Sequence, residues 1–212
     1  MRFVIAALLL ISLNAIQTTR ADAVQIIAAS DAQILPPNVF TGLPGLVSAA
    51  GNGGTASLAA WTFGLSAIPT SAVIVSASIS GTSVSGSGPD SSTSFFGFVD
   101  NGVIELSDPG TGGLFGELPF PNGVQNGSPF EVILNDLTFL TAAHSQGEHF
   151  GVYTTTPTFA SVWTAAGLAN TNPLFSPGTL NVQYVPLPGA AVLFLSLCSV
   201  LAGLRIRRMA SR

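Results

Sequence analysis

The chain has 212 residues and a formal charge of −4, a figure that conceals a sharp division of charge along it. All six basic residues are arginines, at positions 2, 20, 205, 207, 208 and 212, and all ten carboxylates lie between residues 21 and 204, so the body of the protein has no permanent cation. Nucleic-acid binding is excluded for such a body, because displacing counterions from phosphate requires Lys or Arg, and phosphate-cradling nucleotide sites are disfavoured for the same reason, with neither Walker nor Rossmann glycine spacing in the sequence.

A strongly negative domain also avoids anionic membranes and polysaccharides unless cations bridge them. The only cysteine is Cys198, so no disulfide can form within one chain and no Cys metal cluster can be built. Stability must come from packing.

At the N-terminus, Met1 and Arg2 precede the apolar run Phe3 to Leu13, and Ala21-Asp22-Ala23 places small residues at the spacing that signal peptidase uses. This pattern predicts a cleaved secretory signal peptide over residues 1–23, with the mature chain starting near Val24. The run is too short for a spanning helix and contains no cysteine for lipid attachment.

Residues 24–185 suit one domain with a sizeable core. Low charge, abundant Gly, Ser and Thr, and short runs of β-branched or aromatic residues predict an all-β fold, and no segment shows a helical period together with caps. Val24 to Ala29 reads as a first strand. A Pro- and Gly-rich stretch from Gln33 to Gly54 follows, broken by Val39-Phe40 and Leu46-Val47. Ala56 to Leu65 then sets Trp61, Phe63 and Leu65 on one face. The clearest strand has Val73, Val75, Ala77 and Ile79 alternating with a hydroxyl row of Ser76, Ser78 and Ser80, and Gly81 predicts a bulge or bend.

Gly86 to Ser94 reads as a polar loop. Phe95 to Val99 and Val103 to Leu106 flank Asp100-Asn101-Gly102, which predicts a hairpin. Ser107 to Pro129 reads as a long structured loop. Phe130 to Leu140 is strand-like with a break at Asn135-Asp136, and Phe150 to Thr156, Phe159 to Ala165 and Thr179 to Val185 complete the set. Eight to ten strands separated by turn signals predict a β-sandwich of jelly-roll type.

Sites for chemistry are sparse. His144-Ser-Gln-Gly-Glu-His149 has no zinc-protease spacing, and Gly147 argues against a helix there, which leaves a turn with two surface histidines. No Gly-x-Ser-x-Gly elbow occurs. Glu105, Glu117, Glu131, Asp136 and Glu148 are glycosidase candidates only because they are carboxylates. No cofactor is expected, with a structural Ca2+ as the one exception to consider: Asp90, Asp100, Asn101 and Asp108 sit in Gly-rich turns of the kind that offer oxygen ligands, although no Asp-x-Asp-x-Asp loop exists. Trp61, Trp163, Tyr153 and Tyr184 are the aromatic candidates for a sugar platform. Strand phase places Trp61 and Tyr184 with core neighbours, leaving Trp163 and Tyr153 as the better candidates for exposure and carbohydrate contact, with a core position the favoured reading for each.

The chain ends in an uncharged stretch from Val185 to Leu204, just long enough to cross a hydrocarbon core, followed by Arg205, Arg207 and Arg208. The basic cluster predicts that this end stays cytoplasmic while the preceding body lies outside. Pro186-Leu187-Pro188, the small residues Gly189-Ala190-Ala191 and the terminal arginines follow the order of the PEP-CTERM sorting signal, which residues 186–212 resemble. A Leu stands here where that family's name has Glu. Diffuse similarity also links Phe63 to Pro69, Val73 to Gly81 and the Leu180-Asn-Val-Gln-Tyr184 strand to sandwich domains often found ahead of such tails.

The resemblance implies export from a Gram-negative bacterium, an inner-membrane intermediate held by the C-terminal helix, cutting by an exosortase-type enzyme near Pro186 to Gly189, and a final place at the cell surface or in the extracellular matrix of a biofilm. The expected role is that of a non-enzymatic structural or carbohydrate-binding protein with an extracellular polysaccharide as partner. A small secreted hydrolase such as a glycosidase, or a permanently membrane-anchored surface protein, is the alternative.

Overall fold

The computed structural model of the protein describes residues 20–35, 38–40, 46–51, 58–87, 91–108, 110–120, 127–156 and 161–187. The apolar N-terminal segment and the tail beyond Leu187, with the expected membrane span, lie outside them. Among the described residues no helix is long and apolar enough to cross a membrane.

The described chain is all-β apart from one α-helix and one short 3-10 turn, and its strands form two antiparallel sheets in a sandwich-like arrangement. The first sheet contains β1 (Asp22–Ile27), β4 (Leu46–Gly51), β6 (Val73–Ser87), β9 (Ser128–Ile133), β11 (Ser161–Ala166) and β12 (Thr179–Val185). The second runs in the order β3 (Asn38–Phe40), β2 (Ser30–Leu35), β5 (Leu58–Gly64), β10 (His149–Thr155), β7 (Ser91–Asp100) and β8 (Gly113–Phe120). Outward from the middle of the chain the antiparallel pairs are nested: β7 with β8, β6 with β9, β5 with β10 and β4 with β11. Successive pairs fall alternately in the second and first sheets. An antiparallel ribbon folded over in this way brings two apolar faces together across one core.

β6 is the axis of the first sheet. Its Val73–Ser80 stretch pairs with β12, Ser83–Ser87 with β11, and Ser78–Ser83 with β9. Ser78, Ile79 and Ser80 therefore have partners on both sides, and so does Ser83, which pairs with both Ala165 and Ser128. β9 takes one edge, and β12 and β11 share the other in tandem. Gly81 lies where the partner changes, and a Cβ there would stand 2.9 Å from the Phe130 ring. The bulge or bend expected at this glycine is not there: the register shifts of β6 fall opposite Gln183/Tyr184 and Thr164/Ala165, and Gly81 marks a change of partner along one continuous strand paired in register with Phe130.

Alternation on the strands sorts side chains into two clusters. Trp61, Phe63, Phe95, Phe115, Phe150 and Val152 from the second sheet meet Ile26, Ile79, Phe130, Val132, Leu180 and Val182 from the first. On the opposite face of the second sheet, Ile34, Ala60, Phe98 and Tyr153 form a smaller buried cluster with Leu58, Phe96 and Ile104 packed against it. The β7–β10 crossing shows how tightly the rings are fitted: Gly151 is directly opposite Phe98, whose ring occupies the space a side chain would need, and the Phe150 ring lies 2.8 Å from a Cβ built on Gly97.

Three expectations are corrected. Val103 to Leu106 is not a strand; the partner of β7 is β8, within the stretch expected to be loop, and the polar loop at 86–94 is partly taken into β6 and β7. The reason is local. Asp100 Oδ2 accepts the Gly102 N–H at 3.0 Å, Asn101 Oδ1 accepts the Val103 N–H at 2.8 Å, and Asp108 Oδ2 accepts the Glu105 N–H, so side chains satisfy donors that a ladder would have used. Second, α1 (Thr138–Gln146) exists where no helix was expected. It has only about two and a half turns, too short to be stable alone, and it is held by burial of Leu140, Ala143 and His144. Asp136 accepts from both the Thr138 N–H at 2.8 Å and the Thr138 hydroxyl at 2.6 Å at its start. Gly147, at φ 72°, ends it, so this glycine is a C-cap. Third, His144 is buried, with Nε2 3.1 Å from the Pro69 carbonyl, and His149 is half-buried on β10, so neither is a surface histidine.

Gly151→Ala places a methyl against the Phe98 ring and is expected to destabilise the protein by about 1–3 kcal/mol. The check is a urea melt, where a lower midpoint at unchanged slope supports this packing and an unaltered midpoint contradicts it.

Candidate functional site

The outer face of the first sheet carries the largest ordered set of polar side chains. On β12, Asn181 and Gln183 alternate with the buried Leu180 and Val182, and on β6 Ser76 and Ser78 alternate with the buried Ala77 and Ile79. Register then brings the polar phases together: Gln25 of β1 is opposite Asn181, which is opposite Ser78, and Gln183 is opposite Ser76. A hydrogen-bonded row crosses four strands. Gln25 Nε2 donates to Asn181 Oδ1 at 3.1 Å, Asn181 Nδ2 donates to Ser80 Oγ at 3.0 Å, and Ser78 Oγ donates to Glu131 Oε1 of β9 at 2.6 Å. A second rung has Ser76 Oγ donating to Gln183 Oε1 at 3.0 Å.

A groove of about 350 Å³ follows this row, lined among others by Gln25, Ser76, Asn181, Gln183, Glu131 and Ile133. Aliphatic side chains stand exposed beside it, with Ile27 at 63% and Ile133 at 65%. Amides and hydroxyls held by one another supply donors and acceptors in fixed positions. With aliphatic surface alongside, the face matches a ligand with many hydroxyls and some apolar ring surface.

The β7–β8 loop holds the acidic turn residues. Asp100, Asn101 and Asp108 each accept a backbone N–H close in sequence, which accounts for their position without a metal. Among the described residues no group of three or more His, Cys, Asp or Glu side chains is placed to hold a metal ion. Asp90 lies outside the described residues. Burial pushes the Asp100 carboxyl above its ordinary value, and nearby Asp108 adds to the shift, while the Gly102 N–H and His149 oppose it. Burial likewise raises Asp108, with Glu105 close by. Hydrogen bonds from Thr138 hold Asp136 below the usual range.

A second cavity of about 370 Å³ lies beside the 3-10 turn Leu65–Ala67, lined in part by Ile68, Thr70, His144, Glu148 and His149. His144 is engaged with Pro69, and His149 is wedged between Gly64 and Gly102, where Cβ atoms would stand 3.3 and 3.0 Å from its ring.

The sequence-derived sugar contacts fall elsewhere. Tyr153 is only 7% exposed, its ring is stacked on Phe96 at 4.9 Å, and its hydroxyl accepts the Gly110 N–H at 3.3 Å, so it takes the core position favoured for it and lacks the exposure a sugar contact needs. The backbone of Trp163 is on β11, paired with Ala49 and Gly86, away from the groove strands β1, β12 and β9. Trp61 is buried, and Tyr184 is half-buried against the main core, as their strand phase implies. Pro186 and Leu187 follow β12 directly; Pro188, Gly189, Arg205, Arg207 and Arg208 lie outside the described residues. Sequence reasoning found the serine row but missed Gln25, Asn181, Gln183 and Glu131 as its neighbours. The signal was the strict alternation of Asn181 and Gln183 with apolar residues on the last strand.

No protein-family model and no curated protein matches the chain. Among solved structures, that of infectious bursal disease virus, Gt strain, is similar over 80% of this chain at 12% identity and a TM-score of 0.23, and the chain spans 38% of that one's length. A likeness this loose carries no argument about fold or function.

The raised Asp100 carboxyl has a consequence for stability. The folded protein binds this proton more tightly than the unfolded chain, so ionisation costs stability as pH rises past the ordinary value of 3.8. Asp100→Asn keeps an acceptor for the Gly102 N–H and removes that cost. The variant is expected to melt at a higher temperature than the parent at pH 7, with the difference closing as pH falls below 3.8. A lower melting temperature at pH 7, or a pH-independent difference, is the contrary result.

Proposed function

We propose that this chain is an exported sandwich protein of the extracellular matrix that binds polysaccharide on the outer face of β1, β12, β6 and β9. The observation that carries the binding reading is the hydrogen-bonded row Gln25–Asn181–Ser80 with Ser78–Glu131, which presents amides, hydroxyls and one carboxylate along a groove. The nested pairing of β7–β8, β6–β9, β5–β10 and β4–β11 supports a jelly-roll winding, an architecture that leaves one broad sheet face for a ligand.

The address is read from the termini. The N-terminal segment sends the chain out, the C-terminal helix holds it with Arg205, Arg207 and Arg208 inside, and an exosortase-type enzyme cuts near Pro186 to Gly189. Two features of the fold suit this sequence of events. β12 ends at Val185, so a cut after it removes no strand. β1 pairs with β12 with Asp22 opposite Tyr184, so both sorting segments leave from neighbouring strands at one end of the sheet. A folded body can hang from either. Because Asp22 and Ala23 are paired residues of β1, a signal-peptidase cut after Ala21, with Thr19 and Ala21 as the small residues, preserves the strand where a cut after Ala23 shortens it.

Two measurements test the proposal. Terminal-peptide mass analysis of the protein from the host's membrane and extracellular fractions is expected to find an extracellular product that starts at Asp22 and ends between Val185 and Gly189. Retention of Arg205 to Arg212 in the membrane fraction contradicts the sorting reading and leaves an anchored surface protein; a start at Val24 contradicts the cut after Ala21 alone. For binding, Asn181→Ala breaks the centre of the row and is expected to weaken affinity for a captured polysaccharide by about tenfold, the scale of one lost hydrogen bond. Unchanged affinity would place the ligand elsewhere.

A further inference from the structure

We infer that the polysaccharide held in this groove bears amino groups, with a sugar ammonium seated against Glu131. The inference rests on the carbohydrate-binding reading and adds the charge of the ligand to it. Glu131 is the one carboxylate lining the groove, and its side chain is exposed. Ser78 Oγ, itself mostly covered, fixes Oε1 with a 2.6 Å hydrogen bond. Among the described residues Oε2 has no hydrogen-bond partner.

Between residues 21 and 204 there are ten carboxylates and neither Lys nor Arg to neutralise that one, and the two histidines of the body, His144 and His149, line the other cavity. The neighbours that meet Glu131 across the sheet are neutral: Ser78 through its hydroxyl and Ser80 in register. Gln25, Asn181 and Gln183 continue the groove with amides. A uronic-acid polymer brings like charge to a uniformly negative body and is repelled. A neutral polymer can use the amides and hydroxyls but leaves Glu131 without a charged partner. An ammonium on the sugar ring supplies one, forming a charge-assisted hydrogen bond to a carboxylate whose position is already set.

The groove's make-up also fits a polymer more than a free amine. Hydrogen-bonding groups extend over four strands from Gln25 to Glu131, and Ile27 and Ile133 stand exposed alongside. A chain of pyranoses can place hydroxyls on the amide row and apolar ring faces on the aliphatic side chains while one amine reaches β9.

The test uses the processed protein recovered from its host. β-1,4-linked glucosamine oligomers, the N-acetylated oligomers of matched length and a polyuronate are titrated by calorimetry at low salt and about pH 6, where amines of this type are protonated. The amine-bearing oligomer is expected to bind about tenfold more tightly than its N-acetylated counterpart, with the advantage shrinking as salt screens the ion pair. Glu131→Gln is expected to abolish that ratio, whereas Glu148→Gln, outside the groove, retains it. Equal affinity for the amine and N-acetyl oligomers, both weakened by Asn181→Ala, overturns the inference and leaves the carbohydrate reading standing. Tighter binding of the polyuronate, or an amine preference that survives Glu131→Gln, also overturns it. Binding of none of the three overturns both readings.

Discussion

Ser78, Ile79 and Ser80 are paired on both edges, with β12 on one side and β9 on the other, and the rest of the first sheet depends on this crossing. It fixes phase. Because side chains alternate faces, a one-residue slip on either side would carry Leu180 or Val132 out of the core and Asn181 or Glu131 into it. Burying an unpaired amide or carboxylate is costly, so register is held by both faces at once. The polar row is thus a consequence of the same pairing that closes the core.

The second sheet is constrained from both sides in a different way. Trp61, Phe95 and Phe150 point into the main core, while Phe98 and Tyr153 build the smaller cluster behind it. Glycines at 97 and 151 make room for the rings of Phe150 and Phe98. A sheet with both faces buried has less room for a ligand groove. The first sheet has the opposite division, with its inner face in the core and its outer face carrying Gln25, Asn181 and the serine row. That asymmetry leaves the ordered polar row on β1, β12, β6 and β9, the face proposed for ligand.

How much was legible in the sequence varied with the range of the forces involved. The alternation at Thr179 to Tyr184 and at Ser76 to Ser80 was readable because period-two burial is written in consecutive residues. Val73 and Val75, expected on the core face, are instead exposed while Ile74 is buried, because a register shift opposite Gln183 and Tyr184 reverses the phase of β6 there. Gly81 looked like a break in the sequence, but β6 runs through it unbroken and only the partner on one edge changes there. The hairpin at Asp100 failed because Asp and Asn side chains bonded the nearby backbone and lengthened the loop, so β7 found its partner at Gly113. Helix α1 was missed because two and a half turns carry almost no periodic signal, and its stability comes from Leu140 and Ala143 packing against elements distant in sequence. Tyr153 takes the core reading favoured for it over the carbohydrate one, and what the sequence could not show is which residues bury it: Phe96 and Ile104 pack around it from another hairpin.

By itself the sequence determined the charge division, the all-β character of the body, the alternation of its best strands and the resemblance of its tail to a sorting signal. Each of these is local, set by composition or by residues a few positions apart. Only the tertiary structure decided that Gln25, Asn181, Ser78 and Glu131 stand in one row, since they come from strands up to 156 residues apart and meet through register. It also decided that the first and last strands are partners, which places the two ends of the body side by side. Hydrogen bonding between strands has no short-range signature, because any extended backbone offers the same donors and acceptors. The choice of partner is made by the core faces that must meet, and that is a property of the whole fold.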